Sequence, residues 1–184
     1  MAKKNISVKL NADGINKAIN ALEEYKERLQ WKSEIFVERL ADVGIKVAKQ
    51  NILVEDNGLW INRSNLVYFE KDVASSIEGA TCIIVPFSTP YISSWRKSKE
   101  GELLYAEIDP LLMAEFGSGA YAIDGHKGTF PNQKHAENPP WAWYDEYGVK
   151  HYSSGGVPSR PIYKAKEQML QQAQLIALEV FSTI

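Results

Sequence analysis

Cys82 is the only cysteine in the chain. One thiol cannot close an intramolecular disulfide, and a cysteine-based zinc cluster is excluded. Such sparing use of cysteine is compatible with a reducing cytoplasm. Long apolar runs are missing too. No stretch approaches the roughly 20 residues that a membrane span needs, so no membrane partner is expected. The opening residues, Met1-Ala2-Lys3-Lys4-Asn5, carry positive charge without an apolar run behind them, which does not fit a signal peptide. An excess of one charge is also lacking. Lysine and arginine number 21 against 23 aspartates and glutamates, a formal net charge of −2. That balance offers no sequence-wide case for gripping nucleic acid through its phosphates.

What is present is ordinary globular material. The chain has 184 residues, 45% apolar and 24% charged. That is enough to bury a core, and residues 1–184 read as a single domain. Ile6 to Leu10 alternate as a short strand. Asp13 can cap a helix in which Ile15, Ile19, Leu22 and Leu29 recur at helical spacing. Phe36, Leu40, Val43 and Val47 continue the pattern to about Leu53. This predicts one very long helix or two helices broken near Trp31, and ordinary helix lengths favour a bend. Gly44 lies beside the apolar stripe, where it would permit a close contact.

Farther on, Asn57-Gly58 marks a turn. Thr81-Cys82-Ile83-Ile84-Val85 is β-branched and followed by Pro86, which predicts a central strand ending there. Pro90 to Gly101 holds Tyr91, Trp95 and the basic residues Arg96, Lys97 and Lys99, and reads as a solvated loop or short helix. Asp109-Pro110 is a strong helix start, and Gly117 and Gly119 stop the helix it opens. Residues 117–140 are rich in Gly, Pro, Asn and His, without apolar periodicity, and predict a flexible loop. Trp141 to Tyr144 and Val149 to Tyr152 read as a hairpin. The last helix begins near Pro161. Ile162, Ala165, Met169, Ala173, Ile176 and Val180 make one face of it, and Leu175, Leu178 and Phe181 a second. The predicted fold class is α+β: N-terminal helices and a C-terminal helix packed on a mixed or antiparallel sheet of roughly four strands.

Few residues suggest chemistry. His126, His135 and His151, near Asp124 and Glu137, match no metal-ligand spacing, so no metal is expected. Cys82 lies in an apolar strand, where burial raises a thiol's pKa and makes it inert. Ser118 lacks the surrounding pattern of a nucleophile elbow. Gly117-Ser118-Gly119 has neither the further glycine of a dinucleotide loop nor a Walker lysine, so no cofactor is expected. Glu107, Asp109 and Glu115 are the carboxylates closest to an acid/base set. Asp109 is better explained as a helix cap, and Glu115 as a holder of backbone N–H groups or a contact with a neighbouring subunit. No catalytic residue is assigned. Trp141, Trp143, Tyr144 and Tyr147 form an aromatic group suited equally to core and to interface.

Two segments carry more information than any of these. The first is Glu115-Phe116-Gly117-Ser118-Gly119. The second, some forty residues later, is Gly156-Val157-Pro158-Ser159-Arg160-Pro161-Ile162-Tyr163. As a pair and in this order they resemble the tail-completion or head–tail joining proteins of long-tailed bacteriophages. That family shows a Glu-Phe-Gly-Thr-Gly-like segment, a variable stretch, and a Gly-x-Pro-x-x-Pro-Phe-like start of a last helix. The resemblance covers roughly the last seventy residues, and the rest only through the order of elements. Where the family more often has Tyr-Ala shortly before its Glu-Phe-Gly, this chain has Pro110-Leu111.

The resemblance implies the same α+β fold and a non-enzymatic structural protein of the virion, present in the host cytoplasm before assembly. It implies a homo-oligomeric ring, often a hexamer, between a head-completion or connector protein and a tail-tube or tail-terminator protein. DNA would pass through the ring without sequence recognition. The candidate contact residues are Glu115, Phe116, Trp141, Trp143, Leu175, Leu178 and Phe181. Two other classes stay open: a small enzyme using His126 or His135 from a loop, and a host-encoded adaptor domain.

Overall fold

The computed structural model describes residues 11–56, 59–76, 78–97, 103–117, 121, 141–144, 149–153 and 155–182. The strand expected at Ile6 to Leu10 and the loop expected beyond Gly117 lie outside them. In chain order the elements are helix α1 (Ala12–Gln50), strands β1 (Leu53–Asp56), β2 (Leu59–Asn62), β3 (Val67–Ser76), β4 (Gly79–Ser88), β5 (Tyr91–Lys97) and β6 (Leu103–Ile108), helix α2 (Pro110–Phe116), strands β7 (Trp141–Tyr144) and β8 (Lys150–Ser153), and helix α3 (Pro161–Phe181). The fold is α+β, as expected. Among the described residues its strands form four two-stranded sheets, β1-β2, β3-β4, β5-β6 and β7-β8, rather than one sheet of four.

One open choice is decided and two local expectations are corrected. α1 is a single helix of 39 residues, the longer of the two readings, without the bend favoured near Trp31. The reason is visible in its composition: no proline and no glycine lies between Gly14 and Gly44 to interrupt the hydrogen-bond ladder. Its cap is Asn11 rather than Asp13. Asn11 Oδ1 accepts from Gly14 N at 2.8 Å, and Asp13 falls inside the first turn. Pro90 to Gly101 is not a loop or helix at its start. β5 pairs antiparallel with β6, from Tyr91 opposite Ile108 to Lys97 opposite Leu103, with an irregularity between Ile92 and Ser94.

β4 also differs from the expected central strand. It continues through Pro86 to Ser88 and pairs with β3 alone among the described residues. Its residues alternate between exposed and half-buried up to Val85. A strand with an unpaired edge tolerates proline, because the missing N–H removes no ladder bond. The expected hairpin near the end of the chain is present. β7 and β8 pair antiparallel, Trp141 opposite Ser153 and Trp143 opposite His151.

The chain gathers into two compact units. The first comprises residues 1–43, 71–84 and 169–184, and the second residues 44–70 and 85–168. In the first, Phe36 of α1 and Phe181 of α3 meet as tilted rings, 6.0 Å between centroids. Arg39 and Glu179 form an exposed pair at 3.5 Å. The β3-β4 ribbon is tied to α1 by polar groups. Lys71 Nζ reaches Glu38 at 2.9 Å and Asp42 at 2.7 Å. Gln30 Nε2 donates to Ser75 Oγ at 2.9 Å, and Ser75 Oγ donates to Glu34.

The second unit holds a small apolar core of Ile52, Val54, Val67, Leu111 and Ala114, flanked by Phe69 and Met113. α2 enters this core through Pro110, Leu111 and Ala114.

Candidate functional site

The two informative segments of the sequence meet in the second unit. α2 is started by Asp109, whose Oδ1 accepts from Leu111 N at 2.9 Å and Leu112 N at 3.0 Å. Its other oxygen accepts from Ser88 Oγ at 2.5 Å. Pro110 sits at the first helical position, where its missing N–H costs nothing. The helix ends at Gly117, whose N–H donates to Met113 O and whose φ is 73°. That left-handed backbone favours glycine. A Cβ at Gly117 would also stand 2.8 Å from Pro158 Cδ and 2.9 Å from Gly156 O. Only a residue without a side chain lets the returning chain approach so closely.

The return segment then locks onto the end of α2. Arg160 N donates to Ala114 O at 2.9 Å. Glu115 reaches the first turn of α3: Oε2 accepts from Ile162 N at 2.7 Å and Oε1 from Tyr163 N at 3.2 Å. These amides have no partner within their own helix, and a carboxylate there also complements the positive end of the helix dipole. The reading of Glu115 as a holder of backbone N–H groups therefore stands, with α3 supplying the amides. The Arg160 guanidinium lies over the Tyr163 ring, 3.9 Å from its centroid. Arg160 itself has φ 56°, an uncommon conformation for a side-chain-bearing residue.

Ser159 is the centre of this arrangement. It is buried, and its hydroxyl lies 2.7 Å from Asn51 O, 2.9 Å from Leu53 O and 3.4 Å from Ala114 O. It also accepts from Leu53 N at 3.4 Å. A hydroxyl has one proton to donate, so it is shared among carbonyls from the end of α1, the start of β1 and α2. Lys164 Nζ adds a bond to Asn51 Oδ1 at 3.0 Å. Every carboxylate oxygen of Asp109 and Glu115 is thus engaged, four of the five bonds going to backbone amides. Both groups do structural work, and neither is arranged as an acid/base pair.

The remaining candidate residues are dispersed. Phe116 is half-buried beside Glu115. Trp141 and Trp143 are placed in β7. In the first unit, Phe181 packs on Phe36, whereas Leu175 and Leu178 are exposed, Leu178 at 65%. Leu170 is exposed as well. On α1 the apolar stripe Ile15, Ile19, Leu22, Leu29 is also exposed, together with Tyr25. Helical spacing did not foretell that exposure, because such a repeat ordinarily faces a core.

His126, His135, Asp124, Glu137 and Ser118 lie outside the described residues. His151 is placed in β8. Among the described residues no group of three His, Cys, Asp or Glu is placed to hold a metal ion, and no helix is long and apolar enough to cross a membrane. Cys82 is half-buried, and burial pushes its thiol pKa up, against the opposing pull of Lys71. A thiol held in that state is a poor nucleophile.

No protein family, curated protein or solved structure matches the chain.

Proposed function

We propose that this chain is a non-enzymatic structural protein of a long-tailed bacteriophage virion, acting as one copy in a ring at the head–tail junction. One observation carries the reading on the structural side. Two helices of the first unit present apolar faces that nothing among the described residues covers: Ile15, Ile19, Leu22 and Leu29 on α1, and Leu175 and Leu178 on α3. Scattered exposed apolar residues are commonplace, but runs at helical spacing along two helices are what an assembling subunit offers. The order of the two motif segments supports the same family, and so does their direct bonding. A pair of segments that hold each other has reason to occur together.

In this scheme the ring sits between a head-completion or connector protein and a tail-tube or tail-terminator protein. The near-balanced charge fits a channel that passes DNA without gripping its sequence. Sedimentation across a wide concentration range tests the proposal. Mass should rise to a discrete closed oligomer, alone or on addition of a tail-tube protein. Leu175→Gln with Leu178→Gln should weaken that association while the helical signal is retained. A chain that stays monomeric at every concentration and binds neither neighbour would sink the proposal. Phe181 is left out of the variant because it packs on Phe36 within the chain.

A further inference from the structure

We propose that the first half of α1 is an arm that packs antiparallel on the bare α3 face of a second copy. Within the first unit, α1 runs on past the groups tied to it. α3 lies antiparallel to α1, with Glu179 at Arg39 and Phe181 at Phe36, and ends there. The β3-β4 ribbon follows α1 farther, from Lys71 at Asp42 and Glu38 to Ser75 at Glu34 and Gln30. Residues 22–29 are exposed without exception, which is more than two turns and therefore every side of the helix. The span 12–29 is a rod roughly 27 Å long. With no proline, and no glycine between Gly14 and Gly44, it stays straight and cannot fold back onto the α3 of its own chain.

The arm and the α3 face match in pattern and in charge. On the arm, Ile15, Ile19, Leu22, Lys26 and Leu29 recur at intervals of three and four and so share one side, with Lys26 the only charge among them. On α3 the exposed Leu178, Leu175 and Leu170 are followed, three residues nearer its start, by Glu167. Laid antiparallel, Ile15 falls beside Leu178, Ile19 beside Leu175, Leu22 beside Leu170, and Lys26 opposite Glu167. The cation in the arm's apolar side thus meets a carboxylate. Two arms laid together match less well: the stripe holds no carboxylate for Lys26, and both α3 faces stay bare. Arm on face covers both surfaces with one contact. It joins two different patches, so it repeats head to tail and closes into a ring where the rotation allows. The inference rests on the proposed self-assembly and names the contact that carries it.

The test mixes two variants of the full chain. Ile19→Gln with Leu22→Gln disables the arm and leaves the face; Leu175→Gln with Leu178→Gln does the reverse. All these positions are exposed, so each variant should keep the parent's helical signal. In sedimentation velocity each alone should stay monomeric at concentrations where the parent assembles. Their equimolar mixture should form a pair, one copy of each, and nothing larger. Lys26→Glu in the copy that supplies the arm should weaken this pair roughly five-fold, and Glu167→Lys in the other copy should restore it. The inference is overturned by a mixture that forms no pair, by a face-disabled variant that pairs with itself, or by a charge reversal that Glu167→Lys does not restore. A parent that closes into a ring while the mixture stays monomeric overturns it too, and leaves the proposed ring standing without this contact. A parent that is monomeric at every concentration also overturns the inference.

Discussion

The end of α2 and the first half of α1 behave in opposite ways. Around α2, Ser159 is buried and Asp109 and Glu115 are half-buried, all three bond backbone groups, and Gly117 leaves no room for a methyl group. Along α1 from Ile15 to Leu29, the apolar side chains are exposed, Leu22 at 57%. In the first region stability comes from specific bonds to backbone groups, and an unmade bond is most costly at the buried Ser159. In the second, nothing among the described residues covers the apolar face. Substitutions should therefore hurt the fold where α2 meets the start of α3 and leave it almost untouched on the stripe.

Gly117→Ala should have the largest effect. It combines left-handed backbone strain with overlap against Pro158, and a loss of about 3 kcal/mol is expected. The check is a lowered urea midpoint at unchanged slope. A midpoint equal to the parent's would mean that the close approach is absent in solution. Ser159→Ala comes next. It leaves carbonyls of Asn51 and Leu53 without their buried donor, at a cost of about 1–3 kcal/mol in the same assay. A neutral Ser159→Ala would show that water replaces the hydroxyl, and would erase the contrast between the regions.

Lys71→Met gives a smaller change, within about 1 kcal/mol, because its carboxylate partners are half or more exposed. Bonds to Asp42 and Glu38 raise the Lys71 pKa above the ordinary 10.5, against an opposing effect of burial. A raised folded-state value stabilises the fold at every pH below the ordinary lysine range and fades above it. The midpoint difference between parent and variant should be flat from about pH 7 to 9 and narrow beyond 10.5. A difference that widens there would contradict the pairing. Leu22→Gln should change the stability of the monomer least, by no more than about 0.5 kcal/mol. A loss as large as that of Ser159→Ala would show that the stripe is covered within the chain.

Much of the contact between α2 and the start of α3 is legible without knowledge of which groups meet. Asp109-Pro110 announces a helix start, Gly117 its stop, and Pro161 the start of α3, because each acts on the backbone within a few residues. The helical period of α1 is legible for the same reason. The misplacements share a different cause. Asn11 and Asp13 are both good caps, and only the closing of the first turn at Gly14 chooses between them. β5 reads as a loop or short helix in the sequence because its pairing with Leu103 to Ile108 is not a local property. The two uses offered for Glu115 cannot be separated in one dimension, since its amide partners lie at Ile162 and Tyr163.

The amino-acid order by itself determined the α+β class, the helical period of α1, the start and stop of α2 and the start of α3. These are matters of φ, ψ and hydrogen bonds between near neighbours. Tertiary structure alone decided which segments meet. It joined Glu115 to α3, buried Ser159 among three carbonyls, and divided the apolar residues between a small covered core and two bare helix faces. Burial depends on what comes to lie against a side chain, and periodicity marks only which side chains share a face.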